Sequence, residues 1–168
     1  MTPTLRHARP EDLPRLVEIY NASIPSGLAT ADLAPITVDD RRDWFARFDP
    51  KRRPCLVAEE DGEILGMVYL SDFYQNRPAY HGTAEISTYL APESQGRGLG
   101  FWLKKEMIAR CPGLGVTHLI SIFFDHNEAS RRLNQKLGFQ ECGLLPGIAA
   151  MPGGRRNVAL AVLAILPE

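Results

Sequence analysis

The chain is poor in the features that mark several large protein classes. It holds three cysteines, Cys55, Cys111 and Cys142, an odd number, far apart and without a Cys-x-x-Cys pair. That argues against a disulfide framework or a thiolate metal site, and the three read as reduced thiols at half-buried packing positions of a cytoplasmic protein. His7, His81, His118 and His126 share no metal-ligand spacing, so no metal is expected. No apolar run approaches the ~20 residues of a membrane span. Met1 to Pro10 is polar, without the apolar centre of a secretory signal. Lys and Arg (19) nearly cancel Asp and Glu (20), leaving a formal net charge of −1. Neither nucleic acid nor an anionic membrane is therefore indicated as a partner. Linkers, repeats and low-complexity tracts are absent too. What remains, 168 residues of which 45% are hydrophobic, suits one domain over residues 1–168 with a full core.

Periodicity places the elements. Leu5 to Ala8 suits a first strand, and Glu11 to Asn21 repeats Leu13, Leu16, Val17 and Tyr20 on one helical face. Thr37 is a good N-cap, with Asp39 and Asp40 in the first turn of a helix carrying Trp44, Phe45 and Phe48. Pro54 to Glu59 and Glu63 to Leu70 flank Asp61-Gly62, a strong hairpin turn. Ser71 to Gly82 reads as a loop and Thr83 to Leu90 as a strand, followed by a helix from Gly98 to Arg110. Thr117 to Phe124 is a buried strand, and Glu128 to Leu137 a helix stopped by Gly138. Phe139 to Leu145 and Asn157 to Ile165 close the sheet around a turn-rich segment, Pro146 to Arg156. Antiparallel hairpins on both sides of βα units give a mixed, mostly antiparallel sheet in a three-layer α/β domain.

The most informative segment is Gln95-Gly96-Arg97-Gly98-Leu99-Gly100, between a strand and a helix. A glycine-rich turn there leaves backbone N–H groups unpaired at the positive end of a helix dipole, a setting for phosphate. Glycine permits positive φ and close approach, and Arg97 can add a charge-assisted contact. The segment lacks the Lys-Ser/Thr of a P-loop and the third glycine offset of a dinucleotide fingerprint. It does fit Gln/Arg-x-x-Gly-x-Gly/Ala, which resembles the coenzyme A pyrophosphate loop of GNAT-type N-acetyltransferases. Asn127-x-x-Ser130 followed by Leu133 and Leu137-Gly138-Phe139 resembles the second signature of the same family. Ile19-Tyr20-Asn21, Ala29-Thr30, Arg77-Pro78-Ala79-Tyr80 and Thr83-Ala84-Glu85 point to its phosphinothricin acetyltransferase-like branch.

The resemblance runs from about Leu5 to Leu163 and implies the GNAT fold, acetyl-CoA as cosubstrate and a homodimer. It implies transfer of acetyl, by direct attack in a ternary complex, to the primary amine of a small amino-acid-like molecule of the phosphinothricin or methionine sulfoximine type. A protein or peptide acetyltransferase and a non-catalytic acyl-CoA sensor are the alternatives. Acetyl transfer needs an amine that loses a proton, donors for the thioester carbonyl and a departing thiolate. Strand alternation puts Glu85, Ser87 and Tyr89 on one face, and Glu85 is the candidate base. Glu85 could equally face solvent or pair with Arg77; as a base it needs burial or a water relay, since an ordinary Glu pKa is ~4.3. By resemblance the N–H of Leu90 or a neighbour meets the thioester carbonyl. Asn127 caps the helix after it and, by resemblance, can also contact the pantetheine arm; Ser130 reads as a helix-surface residue, and by resemblance as a cofactor contact.

Two departures from the family stand out. Asn134 replaces the usual Tyr or His near the leaving sulfur; asparagine can hydrogen-bond a thiolate but has no proton to give. Met151 to Val158 lacks the family's Lys, Trp and Asp, and Tyr74-Gln75-Asn76-Arg77 lacks one arginine, which argues against phosphinothricin itself. Arg77, Tyr80, His81 and Arg155 are candidates to hold the acidic group of the acceptor, with Tyr20 and Thr30 in a lid above it. Walls formed by the segments 71–82 and 146–156 would favour a small acceptor.

Overall fold

The structure, a computed structural model, describes residues 3–75 and 77–165. Asn76, in the stretch compared above, and Met1 and Thr2, in the segment read for a leader, lie outside the described residues. Seven strands form one sheet in the order β1-β2-β3-β4-β5-β7-β6. They are β1 (Thr4–His7), β2 (Cys55–Glu60), β3 (Glu63–Asp72), β4 (Thr83–Leu90), β5 (His118–Phe124), β6 (Gln140–Met151) and β7 (Gly154–Ala164). Among the described residues, only β4 and β5 pair in parallel. Helices α1 (Leu13–Ser23) and α2 (Val38–Phe45) cover one face, α3 (Leu99–Arg110) and α4 (Glu128–Lys136) the other. The three-layer GNAT fold is thus present.

Local chemistry explains the elements. Asp61 (φ 53°) and Gly62 (φ 82°) both adopt positive φ, which a tight two-residue hairpin requires. At α2, Thr37 Oγ1 accepts from the Asp40 N–H (3.2 Å) and Asp40 returns the bond to the Thr37 N–H (2.8 Å). Strands β2 and β3 are buried on both faces: Leu56, Ala58, Val68 and Leu70 face α3, while Val57, Met67 and Tyr69 face α1 and α2. A bulge at Leu65, where Ala58 pairs with Gly66 and Glu59 with Ile64, shifts the alternation beside the end of β4.

Two expectations fail in the fold, for residues 146–156 and for the half-buried cysteines. Residues 146–156 are not a turn-rich loop; most of them extend β6 and β7 into a long hairpin reversed at Pro152-Gly153, with Ala149 opposite Arg156. The turn residues of this stretch are accommodated by a register shift between Leu145 and Ala149, where Gly147 sits at φ 62°. Cys55 and Cys111 are buried, but Cys142 is exposed on the edge strand β6.

Arg53, 3% exposed, anchors the β3–β4 connection. Its guanidinium donates to Asp72 (2.8 Å) and to the His81 carbonyl (2.7 Å), and Arg52 donates to the same carboxylate (2.7 Å). Burial alone would raise the Asp72 pKa, but the hydrogen bond from Arg52 and the two guanidinium charges outweigh it and hold the carboxyl low. Asp72→Asn should therefore cost about 2 kcal/mol in urea denaturation at neutral pH, through the unpaired charge left on Arg53. A carboxyl with a depressed folded-state pKa stabilises above its unfolded pKa and loses that effect as pH falls through the folded value. The gap between variant and wild type should close in acid.

Candidate active site

β4 and β5 pair only from Thr83–His118 to Glu85–Ile120. Beyond Glu85, β4 stays with β3 as far as Leu90 and β5 stays with β7 as far as Phe124, so the two strands diverge. The opening between them is a cavity of about 370 Å³. Its walls are residues 85–90 of β4, 121–124 of β5, and Gly100, Lys104, Ser130 and Leu133 of the helices; residues 28–31 form its roof. The Ala91 N–H turns towards β3, donating to the Leu65 carbonyl (2.9 Å). Alternation along the strand then directs the Leu90 N–H into the gap.

The glycine-rich segment lies at the mouth of this opening. Gly96 (φ 75°) and Gly98 (φ 78°) are left-handed, and Gly98 opens α3 with no side-chain cap. The first N–H groups of α3 are free to bind an anion. Gln95, Gly96, Arg97 and Gly98 are exposed, Leu99 is buried in the core, and Gly100 lines the cavity. Arg97 pairs with Glu60 (3.3 Å) across the loop.

Glu85, Ser87 and Tyr89 share one face and all line the cavity. Among the described residues Glu85 has no hydrogen-bond or ion-pair partner; Arg77 instead stacks over Tyr74 (5.3 Å). Burial raises the Glu85 pKa above the ordinary carboxylate value. Tyr89 stacks on Tyr69 (centroids 6.3 Å, 14°) and donates to the Ala29 carbonyl at 3.4 Å, touching the roof. Burial pushes Tyr69 up to about 12. The Thr88 hydroxyl is buried at the cavity wall with no hydrogen-bond partner among the described residues.

Asn127 combines two contacts. Its Oδ1 accepts from the Ser130 N–H (3.0 Å) as a helix cap, and its Nδ2 donates to the Leu28 carbonyl (2.9 Å), tying α4 to the roof. Tyr20 does not line the cavity; its hydroxyl bonds Thr30 and Asp32 (both 2.6 Å), while Arg41 lies over its ring at 4.4 Å. Tyr20 thus holds the roof, and Thr30 belongs to it. Arg77, Tyr80 and His81 are exposed on the 71–82 segment, and Arg155 is spent on the Gly147 carbonyl (3.0 Å) at the hairpin tip. None of these four lines the cavity, so neither do the walls expected from 71–82 and 146–156, apart from Val158 beyond them.

The sequence reading passed over a buried polar cluster behind the cavity. Lys104, 5% exposed, donates from Nζ to Asn134 Oδ1 (2.9 Å) and lies 3.5 Å from Ser121 Oγ. Asn134, 2% exposed, donates from Nδ2 to the same hydroxyl (3.0 Å). A signal existed: Lys104 falls on the stripe Gly100, Leu103, Lys104, Met107, Cys111, a charge at a core-facing position.

A parallel strand pair that splays beside an uncapped, glycine-opened helix makes an elongated cleft with an anion-binding turn next to it. Comparison with known proteins gives this arrangement its name. Residues 13–139 match the model of the acetyltransferase (GNAT) family. The chain is 42% identical over 158 residues to YwnH of Bacillus subtilis, provisionally named a phosphinothricin acetyltransferase, covering 94% of this chain and 96% of that one. It is 31% identical over 151 residues to an L-methionine sulfoximine/L-methionine sulfone acetyltransferase of Pseudomonas aeruginosa (88% and 86% coverage). A phosphinothricin acetyltransferase of Sinorhizobium meliloti, solved with acetyl-CoA, superposes with a TM-score of 0.91 at 32% identity (98% and 89% coverage). The chain belongs to the GNAT family and is an acetyltransferase.

Proposed function

We propose that this single domain transfers acetyl from acetyl-CoA to the primary amine of a small, amino-acid-like acceptor, in a ternary complex. The observation that carries the reading is one cavity bounded by Glu85, by the free edge of β4 and by the N-terminal turn of α3. Its size, about 370 Å³ under the 28–31 roof, suits a thioester end and a compact amine. The relatives named for phosphinothricin and methionine sulfoximine support the same class.

Each residue has a task. Free N–H groups of residues 96–100 grip the diphosphate, Arg97 lies beside it, and Gln95 begins the turn. The Thr88 hydroxyl, Asn127 and Ser130 border the pantetheine path. The Leu90 N–H meets the thioester carbonyl and stabilises the charge that develops there. Glu85 takes the amine proton, directly or through a water held at Ser87. Bound acetyl-CoA contributes an activated acetyl group. Cys55 and Cys111 lie in the core and Cys142 on an edge, so no described cysteine lines the cavity to form an acyl-enzyme. That supports direct attack by the amine.

The buried thiols fit a reducing, cytoplasmic setting. The exposed Leu144, Leu145 and Ile148 on edge strand β6 fit burial against a second copy of the chain, which light scattering would show as a dimer. The test of function is thiol release from acetyl-CoA across amino acids, sulfoximines, phosphinothricin, polyamines and short peptides. We expect the highest kcat/KM on amino-acid-like amines. Turnover confined to peptides, or none despite acetyl-CoA binding, would overturn the reading.

A further inference from the structure

We propose that Lys104, oriented by Asn134 and Ser121, gives the departing thiolate its proton. This rests on the acetyl-CoA reading above. Asn134 lies buried behind the cavity and has no proton to give. The structure puts an ammonium against that asparagine, at the wall of the same cavity.

The hydrogen bonds fix the direction of the ammonium. Lys104 has three N–H donors; one goes to Asn134 Oδ1 and one points at Ser121 Oγ, which also accepts from Asn134 Nδ2. One N–H is left uncommitted. The groups that face Nζ are Ser121 from β5, Asn134 from α4 and the Phe139 ring at 5.7 Å, and none of them is ionisable. The other titratable side chains lining the cavity are Glu85 and Tyr89 of β4. A buried ammonium with no carboxylate partner is costly to keep. Burial lowers its pKa to about 8, close to the ~8.5 of an ordinary thiol, so the proton passes between matched groups.

The protons balance. The acceptor nitrogen bonds to the acetyl carbon and the carbon–sulfur bond breaks. Glu85 removes one proton from nitrogen, Lys104 delivers one to sulfur, and both groups return to their starting states by exchange with solvent.

The test uses Lys104→Met in the full chain, with Lys104→Met/Ser121→Ala/Asn134→Leu as a second variant that removes the whole buried polar cluster and leaves none of its members unpaired. Three measurements are made: kcat and KM against pH, acetyl-CoA affinity by calorimetry, and ultraviolet thiolate absorption of bound free coenzyme A. In the wild type, kcat should fall as pH rises through about 8 and Lys104 loses its proton, and the bound thiol should ionise at lower pH than in solution. Both variants should lose about 10-fold or more in kcat, lose that alkaline limb, and ionise the bound thiol at or above its solution value. Their acetyl-CoA affinity should stay within about 3-fold of wild type, because the diphosphate grip lies elsewhere. Binding and turnover with wild-type kcat, limb and thiol ionisation in the variants would overturn the role of Lys104 alone. Failure of the wild type to bind acetyl-CoA would remove the underlying reading as well.

Discussion

Glu85→Gln is expected to lower kcat by about 10²-fold or more while acetyl-CoA affinity changes little. The side chain lines the cavity, stands on the β4 face it shares with Ser87 and Tyr89, away from Ala84 and Ile86, and has no counter-charge among the described residues. Burial raises its pKa, which makes it a base of more than ordinary carboxylate strength. The wild-type rate should rise with pH along an acid limb set above the ordinary Glu value, and the variant should lose that limb. Stability should respond in the opposite sense. A carboxyl whose folded-state pKa is raised destabilises the fold when ionised, so its penalty appears as pH climbs through the folded value. The glutamine variant should therefore melt no lower than wild type at neutral pH, and no higher in acid. A variant with wild-type kcat and an unchanged acid limb would take Glu85 out of the base role. A variant that loses activity together with stability would mark a packing residue instead.

The parts of this protein legible in its sequence were those encoded by short-range chemistry. The strand alternation of Glu85, Ser87 and Tyr89, the Asp61-Gly62 reversal and the Thr37 cap each depend on a few neighbouring residues, and each appears as read. The splay of β4 from β5 was not encoded locally. It follows from β4 remaining with β3 and β5 with β7, pairings between segments far apart in the chain. Residues 146–156 misled because their proline and glycines signal turns, while long-range pairing with β7 holds them extended through a register shift. The arginines expected at the acceptor stand elsewhere. Guanidinium chemistry suits a carboxylate, but Arg77 and Arg155 find partners on their own segments, at Tyr74 and Gly147, away from the cavity. Lys104 was hidden by its type, since lysine on a helix ordinarily reads as solvated surface. Only its position on a buried stripe betrays it.

Gly98→Val should weaken acetyl-CoA binding by roughly 30- to 100-fold in calorimetry. The cause is backbone geometry. Gly98 stands at φ 78°, where a β-branched residue is strained, yet a Cβ there would meet nothing within 4 Å. Crowding within the protein is therefore not the issue. Valine pulls the residue back towards negative φ, and the N–H groups that open α3 turn away from the diphosphate. Losing one charge-assisted hydrogen bond, at about 1.5–3 kcal/mol, corresponds to roughly 10- to 150-fold and brackets that loss. The fold itself should lose only about 1–2 kcal/mol, the cost of left-handed backbone for an L-residue. Gly98→Asn provides the control, because asparagine tolerates that conformation and should lose much less affinity. S-acetylpantetheine provides the sharper one: it carries the thioester without the diphosphate. With it as donor, kcat/KM should be alike in wild type and Gly98→Val, because the thioester meets Leu90 and Glu85 unchanged. Equal acetyl-CoA affinity in the two proteins would sever the glycine loop from the cofactor, whereas an equal loss with S-acetylpantetheine would place the damage in the cavity.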